Sequence, residues 1–484
     1  MDLHAAEPSV EPQAPSLPQA CAAGPRIVHP GSGGVREVVS FAAPIMLSSL
    51  SMSLMWVVDM LIMGRVGTVE QGAVGLAGVL TWALFCFFGG TMNVVNILVA
   101  QDDGAGRRDL ARHVRTALVV ALPMSVALYL LRLLVPDALG WLGASAQVRP
   151  FAQTYIQIRL FAAPFALLSF VLTSYLRGLG DSLTPMWVTL GANALNAGLA
   201  VVLVFGRFGL PALSVAGAAW ATAAASTVEA LAYLGIFLFG RQSRARGALK
   251  LERPPLRDIR AFLVLGLPIG LTWLFEMVAW SAFSSYAGTR TPPELAAHTI
   301  LLQVTSFCFM PAVALGVAAS TLVGRYLGAE RPDLAWRSAK RTLLVGTGYA
   351  VVIGIAMVVL RRPLYRTFAL DPAVIAVGAT LALIAACYQP FDAFGIMCQG
   401  ILRGAGKTAI PTYVMLGSGL LVFIPLVWYF GEARGLGVVG AWAAAVVHVV
   451  VVALVLGTVV VRGKWRSAKL GGSKIGSMVG GAAG

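Results

Sequence analysis

Charged side chains are scarce in this sequence. They make up 12% of its 484 residues, 21 acidic against 36 lysine and arginine. A soluble chain of this length needs about 25% to cover its surface. A water-soluble globule is therefore excluded, and most of the surface must face lipid. Alternating apolar–polar strand patterns are missing, which excludes a membrane barrel. Cysteine is sparse too. Cys86, Cys308, Cys387 and Cys398 lie in apolar runs and Cys21 near the start, with no paired framework, so no disulfide scaffold is expected. Metal-ligand clusters, phosphate loops and nucleophile constellations are missing as well. An enzyme is not expected, and no cofactor is implied.

What is present is apolar length. Apolar residues make up 58% and mean hydropathy is +0.80. Stretches near 20 residues, each enough to cross a ~30 Å hydrocarbon core, recur along the chain. The pattern predicts an all-α membrane bundle of about twelve spans. They are placed at 38–64, 72–101, 116–135, 151–176, 185–205, 213–239, 260–286, 295–324, 342–360, 374–401, 410–430 and 438–461.

The net charge of +15 suggests nucleic acid until its placement is considered. With the N-terminus inside, the even connections carry the cations. Arg107, Arg108, Arg112 and Arg115 follow span 2; Arg241, Arg244, Arg246, Lys250, Arg253, Arg257 and Arg260 follow span 6. Arg325, Arg331, Arg337, Lys340 and Arg341 follow span 8, and Arg462, Lys464, Arg466, Lys469 and Lys474 follow span 12. Outer connections are sparser, though Arg361 and Arg362 lie there. This is the positive-inside pattern, with both termini cytoplasmic and the basic residues against anionic lipid. No nucleic-acid partner is expected. Residues 1–35 carry Asp2, Glu7, Glu11 and several prolines without an apolar core, so a disordered tail is expected rather than a signal peptide. Residues 462–484 are expected to form a second flexible tail.

The chain repeats itself. GAGRRDLA at 104–111 aligns with GAERPDLA at 328–335 at an offset of 224, six of eight residues being identical. Pro44 and Ile45 align with Pro268 and Ile269, and Trp56 with Trp280, at the same offset; LRGLGDSLTP at 176–185 aligns with LRGAGKTAIP at 402–411 at an offset of 226. Six spans per copy give both copies the same orientation, related by a pseudo-two-fold axis along the membrane normal. Lobes are expected at 36–240 and 260–461, joined by a basic linker at 241–259. A cleft between them implies alternating access by rocking. In LRGxG the arginine is read as a headgroup anchor and the glycine as a left-handed helix cap. The GAxRxDLA segments are read as amphipathic starts of helices outside the membrane.

Acidic residues well inside spans are few: Asp59, Glu229, Glu276 and Asp392. Such groups cost roughly 2.5–3.5 kcal/mol at a helix centre and by default mark function. Glu276, in WLFEMVAW, aligns with Met52, and Asp59 with Phe283, so the copies share a scaffold but not these charges. Asp392 lies in CYQPFDAFG, where Pro390 kinks the helix and frees a carbonyl about one turn earlier as a cation ligand. Tyr388 adds a hydroxyl. At 1.5 Å per residue Asp392 lies roughly 16 Å from Arg403, and Glu276 roughly 24 Å from Arg260. Both are at middle depth and are expected to share one cavity, holding a proton or a hard monovalent cation between them. Asp59 sits nearer the outer surface, with Asn193 and Asn196 placed to share its cavity. Glu229 shows no evident partner.

Taken together, these residues resemble the multidrug and toxic compound extrusion (MATE) transporters over residues 36–461. The resemblance rests on Pro44, Val58, Asp59 and Gly64 in the first span and on LRGxG in both halves. It rests also on AAH at 296–298, GxxLGA at 324–329 and YQxxD at 388–392. It implies that Asp59 is the first-lobe acidic residue of cation coupling. It implies that Glu276, Tyr388 and Asp392 form the second-lobe cation site of the NorM-like branch, open to Na⁺. Asn196 matches the first-lobe site of the DinF-like branch, which carries an aspartate one turn later where this chain has Ala200; the departure favours the NorM-like branch. Thr222 matches a first-lobe hydroxyl. The resemblance further implies Na⁺- or H⁺-coupled export of cationic or amphipathic drugs, from a monomer in a bacterial cytoplasmic membrane. Trp56, Trp273, Phe275 and Trp280 are candidates for the substrate cleft, where rings can contact organic cations. The alternative is an exporter or flippase of a lipid-linked or polar metabolite, for which Arg159 is the main inward cation.

Overall fold

The computed structural model describes residues 33–467 except 142, 144 and 251. Cys21 and nearly all of the two expected tails lie outside them. Eleven described helices are long and apolar enough to cross a membrane, and a bent pair makes twelve. Spans 1–6 are Val35–Gly64, Thr68–Gly104, Arg112–Leu131, the pair Arg149–Phe161 and Ala163–Gly178, Leu183–Phe205, and Ser214–Phe239. Spans 7–12 are Leu256–Gly288, Pro292–Gly328, Pro332–Phe368, Pro372–Gly404, Ala409–Ala433 and Gly437–Arg462. Helices satisfy every backbone group internally, the condition lipid imposes. Span 4 bends by 52° at Ala162, where Pro164 cannot donate to the preceding turn. Span 11 departs from α-geometry in two π-helical turns, Gly419–Phe423 and Trp428–Ala433.

The repeat is visible in the geometry. A methyl group added to Gly328 would land on the carbonyl of Gln101, and one added to Gly104 on the carbonyl of Arg325. By the offset of 224, Gln101 and Gly104 are the counterparts of Arg325 and Gly328. Spans 2 and 8 therefore meet reciprocally, as a two-fold contact requires. Within each lobe the first LRGxG glycine makes a second matched crossing. A methyl on Gly178 would lie 3.0 Å from the carbonyl of Asn96, and one on Gly404 would strike that of Ser320, the counterpart of Asn96. The second glycines, Gly180 and Gly406, cap their helices at φ +83° and +75°. Gly106 and its counterpart Glu330 are both left-handed, at φ +68° and +58°.

Two large apolar cores follow the lobes, with an exchange at the basic end. Val38, Phe41 and Ile45 of span 1 pack with the second lobe, and their counterparts Phe262, Leu265 and Ile269 of span 7 with the first. Hydrogen bonds join the lobes in the same half. Gln101 Nε2 donates to the Gly404 carbonyl at 2.7 Å, Thr321 Oγ1 to Asn96 Oδ1 at 2.9 Å, and Tyr326 Oη to Glu37 Oε1 at 2.6 Å. Arg325 and Asp103 form an ion pair at 3.0 Å, and Asp103 also pairs with Arg246 of the linker. Among the described residues these polar links between the lobes gather at the end that carries the basic loops.

Two expectations need correction. Lys464–Ser467 is not loose: Trp465 is buried, donates to the Val460 carbonyl at 2.9 Å and sits beside Trp336. An indole with its N–H satisfied is held against span 9, so the flexible segment cannot start at 462. The LRGxG arginines are not headgroup anchors. Arg177 and Arg403 are half-buried, with Nε out of contact with solvent. Helix side chains point back toward the N-terminus, and spans 4 and 10 both run toward the basic end, so these arginines reach inward.

Because Gly404 has no room for a side chain, Gly404→Val is expected to destabilise by about 1–3 kcal/mol or more through overpacking. Gly417→Ala in span 11, with nothing within 4 Å of an added methyl, is expected to be neutral or stabilising by up to about 1 kcal/mol. Thermal unfolding in detergent checks both.

Candidate functional site

Span 10 presents Tyr388, Asp392, Gly395 and Gln399 at helical spacing to one cavity in the second lobe. Glu276, Phe275 and Trp280 of span 7 line the same cavity. Phe423 of span 11 and His448 of span 12 close it. Tyr388 and Asp392 stand one turn apart on span 10, and Glu276 faces the same cavity within electrostatic reach of both. The structure thus brings Glu276, Asp392 and Tyr388 together. Trp280 packs on Phe283, Tyr388 and Trp442 with ring centroids 5.8, 6.3 and 6.0 Å away. Phe275 rests against Gly419, where only a glycine leaves space. A cavity with two carboxyls, a phenol and aromatic walls can hold a small cation and exclude anions.

The carbonyl freed by Pro390 does not contribute. Ala386 O points at Gly354 of span 9, 2.8 Å from where a methyl on that glycine would lie. Ala386 is six residues before Asp392, a rotation of about 240° on the helix, which turns it away from the cavity face.

A second cavity adjoins the first, sharing Glu276 and Gln399 with it and reaching Asn93 of the first lobe. Asn93, Trp273, Phe309, Ser320, Gln399 and Arg403 line it together with Glu276. Arg403 Nη2 donates to Gln399 Oε1 at 2.8 Å. Ser320 Oγ and Arg403 Nε are buried without a partner. Trp273 touches Gly90 where spans 2 and 7 cross.

The first-lobe residues form a separate group. Asp59 is buried and accepts from Asn196 Nδ2 at 3.2 Å. It lies near the end of span 1 away from the basic loops and faces the interior of the lobe. Arg159 is in electrostatic reach of Asp59 and also near Ser226 and the Phe85 ring. Asn193 turns instead to Ser51 Oγ at 2.8 Å. Thr222 is buried, donates to the Ala218 carbonyl and neighbours Tyr155. Trp56 packs on Gly78 of span 2 inside the lobe, away from both cavities. Glu229 does have partners: Thr189 Oγ1 donates to it at 2.8 Å, Tyr233 lies 3.1 Å from that hydroxyl, and Arg177 is in electrostatic reach. They come from spans 4 and 5 as well as span 6, a convergence the local sequence does not display.

Sequence reasoning missed Gln399, Phe423 and His448. His448 was detectable as a polar side chain inside AWAAAVVHVVVVALVL, and its Nδ1 lies 2.8 Å from Ser418 Oγ.

Parallel repeats, lobes linked at the basic end and an acidic cavity inside the second lobe define a class, the two-lobe membrane transporters. The MatE family profile matches residues 44–202 and 268–429, most of both lobes. The chain belongs to that family, the MATE transporters. It is 31% identical over 413 residues to a probable multidrug resistance protein NorM of Bradyrhizobium diazoefficiens, covering 84% of this chain and 88% of that one. It is 30% identical to the multidrug resistance protein PmpM of Pseudomonas aeruginosa, covering 87% and 90%. Among solved structures, the outward-facing conformation of a multidrug resistance MATE transporter superposes with a TM-score of 0.82 at 19% identity, covering 90% of this chain and 97% of that one. A eukaryotic MATE transporter gives 0.79 at 21%, covering 90% and 97%. At these identities the likeness to the solved structures concerns the fold.

Asn196 is the hydrogen-bond donor to the buried Asp59 carboxyl, so Asn196→Ala is expected to cost about 1–3 kcal/mol by leaving it unsatisfied. Replacing both residues with leucine is expected to cost less than the sum of the two single leucine variants. Unfolding temperatures of the variants in detergent provide the comparison.

Proposed function

We propose that this protein exports cationic or amphipathic drugs in exchange for Na⁺ or H⁺, as a monomer in the bacterial cytoplasmic membrane. Both termini and the basic loops face the cytoplasm, and the lobes are linked at that end, which supports a state open to the outside. The observation that carries the reading is the shared cavity of Glu276, Asp392 and Tyr388. Two carboxyls in one low-dielectric cavity retain a proton or attract a monovalent cation. Antiport follows if the coupling cation and the drug favour different lobe arrangements, each displacing the other through conformation. Acidic and aromatic walls suit an organic cation better than the anionic headgroup of a lipid-linked metabolite. The names of the NorM and PmpM relatives support drug export. Asp59, paired with Asn196, is assigned to coupling in the first lobe.

The test is dye efflux from proteoliposomes with Na⁺ and H⁺ gradients imposed separately. Glu276→Gln and Asp392→Asn are each expected to leave the protein folded and to remove gradient-driven efflux by about tenfold or more. The double variant is expected to add little, since the groups act as one site. Gradient-driven efflux that survives both single substitutions would overturn the assignment. Asp59→Asn is expected to slow efflux severalfold at normal expression, measured in the same vesicles.

A further inference from the structure

Glu276 is the carboxylate common to both cavities. It lines one with Asp392 and Tyr388, and the other with Arg403, which donates to Gln399. Among the described residues Arg403 has no carboxylate within ion-pairing distance, and Glu276 is the acid that shares its cavity. A half-buried guanidinium away from water requires a counter-charge. Glu276 supplies it, while the same charge is available to a cation held with Asp392.

We propose that Arg403 is a fixed counter-charge that limits the second-lobe site to one exchangeable monovalent cation. With both carboxyls ionised, Glu276 and Asp392 carry two negative charges and Arg403 returns one. Tyr388 and His448, the other titratable groups lining the site, are neutral in this account. The remaining single negative charge is offset by one Na⁺ or one proton. Exchange of one such cation for a singly charged drug then moves no net charge across the membrane. Arg403 is a positioning residue here: it acts through the net charge of the carboxyl pair, Glu276 with Asp392, and not by touching the drug.

This inference rests on the cation-exchange reading above, and its test separates the two. Proteoliposomes export ethidium, a monovalent cation, under a Na⁺ gradient in one arm and a proton gradient in the other. In each, the membrane potential is set by potassium and valinomycin. The wild type is expected to be indifferent to potential. Arg403→Gln is expected to bind cations about tenfold more tightly, the size of one unit of charge–charge interaction. It is also expected to require two cations per cycle, so that an interior-negative potential accelerates it. Arg403→Lys, which keeps the charge, is expected to behave as wild type. Glu276→Gln alone leaves Asp392 and Arg403 balanced and is expected to lose coupling. Glu276→Gln with Arg403→Gln restores a single negative charge and is expected to recover potential-independent exchange, even if Arg403→Gln alone does not fold. A coupled wild type whose Arg403→Gln variant keeps the same half-saturation and the same indifference to potential would overturn the proposal. So would a double variant that folds yet stays uncoupled. A wild type indifferent to both gradients would instead overturn the exchange reading itself.

Discussion

Gly104 and Gly328 each lie against a carbonyl one turn before the other, across the pseudo-two-fold axis. In lipid, helices gain nothing from hiding apolar surface from water, and close backbone approach through small residues does the work. Here that approach does more than join two helices. It brings Gln101 within reach of the Gly404 carbonyl and Arg325 within reach of Asp103. A side chain at either glycine would separate spans 2 and 8 and remove both contacts. The crossing also locates the pivot. Polar links between the lobes gather in the basic half, so relative motion must either open that end or hinge about it. A packed contact of this kind has discrete alternatives rather than a continuum.

Much of this fold is legible in the chain. Span number and order follow from apolar length, and the parallel relation of the lobes from GAxRxDLA and LRGxG at nearly one offset. The approach of Glu276 to Asp392 follows from depth and from the rarity of charge in lipid. Other features are not legible for identifiable reasons. The π-turns of span 11 are backbone states without a residue signature in GLLVF or WYFGEA. The exchange of spans 1 and 7 between cores depends on which lobe each helix end faces, which periodicity cannot say. The direction of Arg403 was available from the inward lean of helix side chains, as was the rotation that points Ala386 away from Asp392. Counting depth alone hides both. His448 escapes when only acids are sought inside the spans.

Duplication explains the scaffold but not the chemistry. Met52 stands where the second lobe has Glu276, and Ala166 where it has Asp392 by the LRGxG offset. Phe283, the counterpart of Asp59, is buried between His298 and Trp442 in an aromatic cluster. Each acidic group thus belongs to one lobe, while its equivalent position carries an apolar side chain, packed at Phe283 and exposed at Met52. Asymmetry of this kind is what an exchanger needs if the two lobes are to answer differently to one cation.

An inward arginine is one polar feature both lobes keep. Arg177 and Arg403 occupy matched positions, and each lies in the field of a half-buried glutamate, Glu229 in the first lobe and Glu276 in the second. Those glutamates are not matched: Glu229 is on span 6 and Glu276 on span 7. The scaffold fixes where the guanidinium goes, because the glycine two residues before the cap must stay bare for the helix crossing and the arginine beside it leans inward. Burying that charge then demands a carboxylate within reach, and different helices supply it. In the first lobe the carboxylate is tied by Thr189 and its neighbour Tyr233. In the second it borders a cavity with Asp392 and Tyr388. The same constraint therefore places the carboxylate among hydroxyl donors in one lobe and beside a second carboxyl in the other.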